Sequence, residues 1–242
     1  METFEIMSFC DLHTHSIRSS CGFHTLLEIV SIMKGKGEKA FALTDHGPTL
    51  GTPRAHFSVM LRRVPPVIDG VRMFKGVEAS VLNGDGDIDL PLFEGYSYDV
   101  ILAGLHKHGL YEDPQGKDEN TRALVNTMKK NPALRVITHP YFETFPVDMD
   151  ALTDAAIETG TALEVNNSYL LNDKADTASL ALMLEIARDK GTPLAVNSDG
   201  HVFHEMAKFD LAVKFMEPYG IDSLNIVNRT LESTLEFLGL EG

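Results

Sequence analysis

The chain has 242 residues, 43% of them hydrophobic and 23% charged, the balance of a soluble globular protein with one sizeable core. Its formal net charge of -14, from 21 basic and 35 acidic side chains, argues against a protein that grips extended DNA or RNA through phosphate contacts. No apolar run approaches the roughly 18 residues of a membrane helix. METFEIMSFC lacks the basic start of a secretory signal, and two cysteines, Cys10 and Cys21, make no disulfide framework. A reduced, cytoplasmic chain is the expectation.

Apolar runs alternate with helix-like stretches along the chain. The first run, FCDLH at 9–13, ends on His13, with His15 two residues on. Thr25-Leu-Leu-Glu28 has the form of a capping box and starts a helix toward Lys34, with Gly35 and Gly37 as stop signals. AFALT at 40–44 leads into Asp45-His46-Gly47, and VRMFKGVEA at 71–79 carries Glu78 near its end. DVILAGL at 99–105 leads to His106 and His108. A polar helix over 118–130 is stopped by Asn131-Pro132. LRVITH at 134–139 ends at His139-Pro140. A helix over 150–159 precedes ALEVNN at 162–167, and another over 175–190 precedes PLAVNSD at 193–199, which Gly200 and His201 follow. Helical spacing returns over 204–216 and 230–239.

Near-continuous apolar runs of this length are strands buried on both faces, as in parallel sheets. Seven of them, joined through helices by right-handed crossovers, predict an α/β fold. The expected form is a distorted TIM-like (β/α)7 barrel, a single domain over 1–242, with an open doubly wound sheet as the alternative. No G-x-G-x-x-G or Walker loop follows the first strand, which disfavours nucleotide folds.

In such a barrel every strand end opens on one mouth. Strand residues two apart share a face, so His13 and His15 can hold one ion, and Asp199 and His201 repeat that spacing. Six histidines (His13, His15, His46, His106, His139 and His201), Glu78 and Asp199 are thus expected to converge. Eight donors exceed the three or four protein ligands of a single catalytic zinc, so two to three divalent ions are implied, with Glu78 able to bridge. A lone histidine is more often structural than a ligand; it is the recurrence at six of seven strand ends that carries the expectation. His24, His56 and His204 fall on predicted helices or loops and are read as ordinary histidines. His108 faces as His106 does if the strand continues, and otherwise lies on a loop.

In order, D-L-H-T-H, T-D-H-G, G-V-E-A, A-G-L-H, T-H-P, E-V-N-N and S-D-G-H span Asp11 to about His201. As a set they resemble the polymerase and histidinol phosphatase (PHP) superfamily, most closely its small stand-alone phosphatases, the YcdX-like branch. The resemblance implies a distorted (β/α)7 barrel with a trinuclear metal centre. It implies one metal on His13, His15, Glu78 and Asp199, a second on His46 and His201, and a third on His106 and His139 with Glu78 bridging. One departure stands out. The family usually has a histidine or aspartate a few residues after H-x-H, completing the second site; against the S-D-G form of that motif this chain has Ser20-Cys21-Gly22. Cys21 then occupies a ligand position, and thiolate suits zinc better than manganese or magnesium. The alternatives are a spectator Cys21 with His24 reaching in, or a weak second site.

The expected chemistry is hydrolysis of a phosphate monoester by metal-activated hydroxide. Asp199 would orient or deprotonate the water, and Arg18, or else Lys107, would hold a non-bridging oxygen. Zinc is the first choice of ion, with manganese or iron otherwise. The expected partner is a small phosphorylated substrate, with no membrane and no extended nucleic acid; an oligomer is left open. Two other readings compete. An amidohydrolase-type C–N hydrolase shares H-x-H on the first strand but uses a carboxylated lysine at the end of strand four, where this chain has His106, with Lys107 on the other face. The other is an accessory PHP domain or an oligonucleotide exonuclease: the acidity disfavours duplex binding and this chain has no polymerase-sized extension, while cleavage of short oligonucleotides stays open.

Overall fold

The computed structural model describes residues 9–50, 61–90, 97–111 and 115–241. His56 lies outside them. The strands are β1 (Ala40–Leu43), β2 (Val67–Ile68), β3 (Val71–Ser80), β4 (Val100–Gly104), β5 (Val136–Ile137), β6 (Ala162–Asn166) and β7 (Leu194–Asn197). The α-helices are α1 (Leu26–Gly35), α2 (Lys117–Lys130), α3 (Met149–Thr159), α4 (Asn167–Leu171), α5 (Thr177–Lys190), α6 (Asp210–Met216) and α7 (Leu231–Leu238). Six strands pair in parallel in the order β1-β3-β4-β5-β6-β7, and the short β2 pairs antiparallel with β3.

Local chemistry sets most boundaries. Glu28 accepts from the Thr25 N–H at 2.8 Å and closes the capping box of α1. Gly35 stays helical, and the stop falls at Gly37, whose φ of +85° is open to glycine without strain. Asp148 and Asp176 cap α3 and α5. Three features differ from the sequence expectation. The pair β2 was not anticipated. The Asn166 side chain accepts from the Tyr169 N–H and starts the short α4 directly after β6. The helix after β7, expected over 204–216, begins at Asp210, after a turn-rich stretch.

The larger difference is at the N-terminal end. The expected first strand, 9–13, forms no ladder. Residues 9–15 run between the two edges of the sheet and touch each by an isolated parallel bridge, Asp11 to Phe41 and Thr14 to Gly200. Side chains stand in for ladder partners on the β7 side. Buried Asn228 donates to the carbonyls of Cys10 and Val196 and accepts from the Val196 N–H. Asn197 accepts from the Leu12 N–H, and Asp11 accepts from the Ser198 N–H. The fold is therefore an α/β half-barrel, a curled open parallel sheet, rather than a ladder closed all the way round.

Strand alternation explains what fills the concave side. Ala40, Ala42, Phe74, Val100, Leu102, Val136, Ala162 and Ala195 form one buried cluster with Leu12, and α7 packs its Leu231, Leu235 and Leu238 against it. The intervening residues, such as Val77, Ala79, Ile101, Ala103, Leu163, Val165 and Val196, pack outward on another cluster that includes helix residues of α2, α3 and α5. Followed two by two toward the C-terminal ends, the inward files turn polar: Phe74, Gly76, Glu78; Leu102, Gly104, His106; Ala162, Glu164, Asn166; Ala195, Asn197, Asp199. The apolar base thus becomes the floor of a polar mouth.

Candidate metal centre

Glu78 is the hub. Its side chain is 1% exposed and faces five imidazoles. His13 Nε2 lies 3.2 Å, His15 Nε2 3.4 Å and His46 Nδ1 2.8 Å from Oε2. His106 Nε2 and His139 Nε2 lie 2.9 and 3.3 Å from Oε1. One carboxylate thereby divides the rings between its two oxygens. Asp199 Oδ1 faces His15 Nε2 at 3.2 Å, His13 Nε2 at 3.5 Å and His201 Nδ1 at 3.6 Å. All eight residues nominated from strand ends are brought to one volume.

Second partners set the direction of the rings. His13 Nδ1 pairs with Glu164 Oε1 at 2.7 Å, His15 Nδ1 with Ser19 Oγ at 2.9 Å, and His201 Nδ1 with the Asp199 carbonyl at 2.8 Å. With one nitrogen occupied, the other points its lone pair inward, the arrangement that metal-binding histidines use. Glu164 was not singled out from the sequence. Its signal was there: a glutamate inside the fully buried strand ALEVN needs partners to be tolerated. It finds four, accepting also from the His139 N–H at 2.8 Å and from the side-chain amides of Asn166 and Asn197 at 2.9 Å each. Asp11 and Asp45 anchor the loops. Asp45 accepts from the N–H and hydroxyl of Ser16, and Asp11 from Ser198 and the Ala207 N–H.

Backbone geometry is specialised at two of these positions. His139 and Asp199 have φ of +33° and +53°, a left-handed region that costs a non-glycine residue about 1–3 kcal/mol and tends to occur at functional sites. Gly104 leaves room beside one of them: a Cβ there would lie 2.2 Å from Thr138 Oγ1 and 3.0 Å from His139 Cε1.

Cys21 is drawn in by its loop. Ser20 turns left-handed at φ +61°, and Gly22 passes so near the Ser16 carbonyl that a Cβ would lie 2.3 Å from its oxygen. The Phe23 N–H then donates to the His201 carbonyl at 3.0 Å, tying the cysteine loop to the histidine loop. The donor atoms of His15, Cys21, His46 and His201 all lie within 4.8 Å of one another. Two further groups meet the same limit, His13–His15–Glu78 and His46–Glu78–His106.

The charges are sorted accordingly. Burial opposes ionisation of Glu78, but the His13, His106 and His46 rings hold its carboxyl well below the usual range. Burial likewise opposes Asp199, yet His13 and His201 hold it far down. Burial disfavours charge on His13, but Glu78, Glu164 and Asp199 keep its pKa well above the ordinary value. His15, buried and beside His201 and His46, is well below it. His46 is raised to about 10 against its burial by Glu78 and Cys21, and His201 to about 9 against its burial by Asp199 and Cys21. Burial pushes the Cys21 thiol up, but His201 and His46 pull it down to about 6. Carboxylates packed among imidazoles in this way call for positive charge, which ring protons or divalent cations can supply.

Four buried atoms have no hydrogen-bond partner here: His13 Nε2, His15 Nε2, His46 Nδ1 and Glu78 Oε2. The three ring nitrogens face Glu78 Oε2 at 2.8–3.4 Å without a directed hydrogen bond, and a shared cation would satisfy all four atoms. Imidazole nitrogens, carboxylate oxygens and a thiol are the donor set of zinc and its neighbours. The clustered groups fit two or three ions.

The remaining candidates contribute no atom to these donor groups. Arg18 is exposed on the turn Ile17–Ser19 after His15, and its charge acts on Asp45. Lys107 is exposed, its Nζ 5.2 Å from the centre of the Phe142 ring. His108 is in an exposed left-handed turn at φ +64°, so the strand does not continue to it. His24 Nε2 accepts from the Phe203 N–H, and His204 is exposed beside Glu205.

No protein-family model matches the chain. A probable phosphatase of Syntrophotalea carbinolica is 36% identical over 232 residues, covering 95% of both chains. A probable phosphatase of Shewanella oneidensis is 34% identical over 236 residues, covering 96% of this chain and 92% of its own. Among solved structures, histidinol phosphate phosphatase from Lactococcus lactis, in complex with zinc, L-histidinol and phosphate, matches with a TM-score of 0.63 at 16% identity, over 88% of this chain and 94% of that one. A chain of an archaeal ribonuclease P with mature tRNA matches with a TM-score of 0.58 at 12% identity, over 94% and 90%. At such identities these two structures share the fold. A half-barrel with imidazoles and carboxylates converging at its mouth is the plan of a metal-dependent hydrolase. The chain belongs to the PHP-like family of metal-dependent phosphoesterases that the two probable phosphatases represent. Among the described residues no helix is long and apolar enough to cross a membrane.

Proposed function

We propose that the chain acts as one domain of the YcdX-like branch, hydrolysing a small phosphate monoester at a centre of two to three divalent ions. The observation that carries this reading is the convergence of three buried ring nitrogens on Glu78 Oε2 with no directed hydrogen bond among them. The proposed ligands are His13, His15, Glu78 and Asp199 for one ion, and Cys21, His46 and His201 for a second. His106 and His139, with the other Glu78 oxygen, serve a third. Zinc is the first choice, manganese or iron the others. In the finer fold reading, residues 9–15 are the seventh parallel strand of a distorted (β/α)7 barrel, inserted at the seam between β1 and β7. The family's probable phosphatases, and the zinc and phosphate in the Lactococcus lactis enzyme, support the assignment.

Divalent ions at this site would acidify water and neutralise charge on a phosphoryl group. The chain's own groups do the rest. Glu164 keeps the proton on His13 Nδ1, so that Nε2 presents its lone pair. Asp199, whose Oδ2 accepts from Asn166 Nδ2 at 3.2 Å, is fixed at the mouth to orient the attacking water and take its proton. Arg18 is assigned to a non-bridging phosphoryl oxygen, for which its planar fork is suited. A C–N hydrolase of the amidohydrolase type has no support from Lys107, which packs over Phe142.

Protein stripped of ions is expected to lose hydrolysis of phosphate esters and to regain it with zinc or manganese. Ion-replete protein that is inactive across a broad ester panel, yet cleaves cyclic amides, would overturn the proposal.

A further inference from the structure

The three donor groups at the mouth are not equivalent. Two of them contain Glu78 and consist of three donors each. The third, His15, Cys21, His46 and His201, has four donors and no carboxylate at all. With His15 placed on the first ion above, the donors particular to this group are Cys21, His46 and His201, so the thiolate rather than a fourth donor sets it apart. Thiolate and imidazole favour zinc and similar soft ions, while carboxylate-containing groups also accept manganese and iron. Two independent features point to an ion here besides the cysteine. His15 Nε2 is completely buried with no directed hydrogen bond, and it lies between this group and the Glu78 and Asp199 carboxylates, at 3.4 and 3.2 Å from them. The loop is also tied for the purpose, with Gly22 pressed against Ser16 and Phe23 bonded to the His201 backbone.

We propose that Cys21 makes this group a thiolate–imidazole site that retains a zinc-class ion, while the Glu78 groups exchange theirs, so that the protein carries a mixed metal centre. The inference rests on the metal-centre reading above. It concerns a residue by which this chain departs from the family pattern, in which a histidine or aspartate stands at this position. His15 and His46 each belong also to a Glu78 group, so the three groups adjoin and changes at one reach the donors of the next.

The test uses cobalt as a spectroscopic stand-in for zinc. The cobalt-loaded full chain is expected to show a thiolate-to-cobalt charge-transfer band in the near ultraviolet. Dialysis against a weak chelator should remove the other ions first and leave about one ion per chain together with the band. Cys21→Ser should abolish the band and weaken retention of that last ion by more than about tenfold, the loss that even an outer-shell change can bring. Cys21→His should abolish the band yet keep an ion bound. A circular-dichroism melt of each variant separates ligand loss from misfolding. A wild-type cobalt protein without the band, a band that survives Cys21→Ser, or equal retention in wild type and Cys21→Ser would overturn the inference while leaving the metal centre standing. Elemental analysis showing no uptake of zinc, cobalt or manganese would sink the metal-centre reading itself, and this inference with it.

Discussion

Glu164 illustrates how one side chain reaches the chemistry without touching it. Its carboxylate holds His13 Nδ1 and the His139 backbone, so a single group sets two of the candidate ligands. Glu164→Gln preserves the volume but offers an amide where the ring expects an acceptor, or else gives up a bond from the neighbouring amides. The expected result is an intact fold with ion affinity lowered about 10–100-fold, read by titration calorimetry. Unchanged affinity would show that the rings are held by packing alone. At this scale the donor residues were legible in the sequence because ligands are chemically distinctive and recur at strand ends. Glu164, Ser19 and Ser80, whose Oγ lies 3.2 Å from His106 Nδ1, were not, because a residue that orients a ligand has no type or spacing of its own. Cys21 sits between these cases. Its identity was conspicuous, but its neighbours His15, His46 and His201 come from positions up to 180 residues away in sequence.

At the scale of elements, the alternation of apolar runs and helical stretches located six of the seven expected strands, because burial on both faces leaves a near-continuous apolar run in the sequence. The run at 9–13 has the same character but no ladder, since Asn228, Asn197 and Asp11 occupy the positions that backbone partners would take. That seam holds His13 and His15 in place, so its stability matters to the site. Asn228 makes buried bonds to Cys10, Val196 and Asn197. Asn228→Ala leaves several backbone groups buried without partners and is expected to destabilise the fold by about 3 kcal/mol, seen as a lower denaturant midpoint. A midpoint within experimental scatter of the wild type would mean that the seam relaxes onto water instead. The short β2 and α4 escaped the sequence reading for a related reason. Two paired residues, or a single capped turn, carry too few residues to show a period.

For the whole molecule, the ions are expected to contribute to stability as well as chemistry. Ligands arrive from both sides of the seam and from three other strand ends, so an ion bound only by the folded chain stabilises it through mass action. At a hundredfold excess over Kd, that is about 2.7 kcal/mol per ion. Removal of ions should lower Tm measurably, and restoring them should raise it. The gain should shrink as pH falls, since His46 and His201, with pKa values of about 10 and 9 in the ion-free protein, must give up protons to bind. A Tm indifferent to both ions and pH would contradict the picture.

The sequence by itself determined which residues would be available at the mouth. Side-chain direction alternates with a period of two along any strand, and that period is local enough to be read from spacing alone. Only the tertiary structure decided which donors stand together, which nitrogen of each ring faces inward, and that Cys21 joins three imidazoles rather than a carboxylate. Those outcomes depend on distances between strands, on the left-handed turns at Ser20, His139 and Asp199, and on the side-chain bridges of the seam. None of these is encoded by any short stretch of residues, because each is settled by partners far apart in the chain.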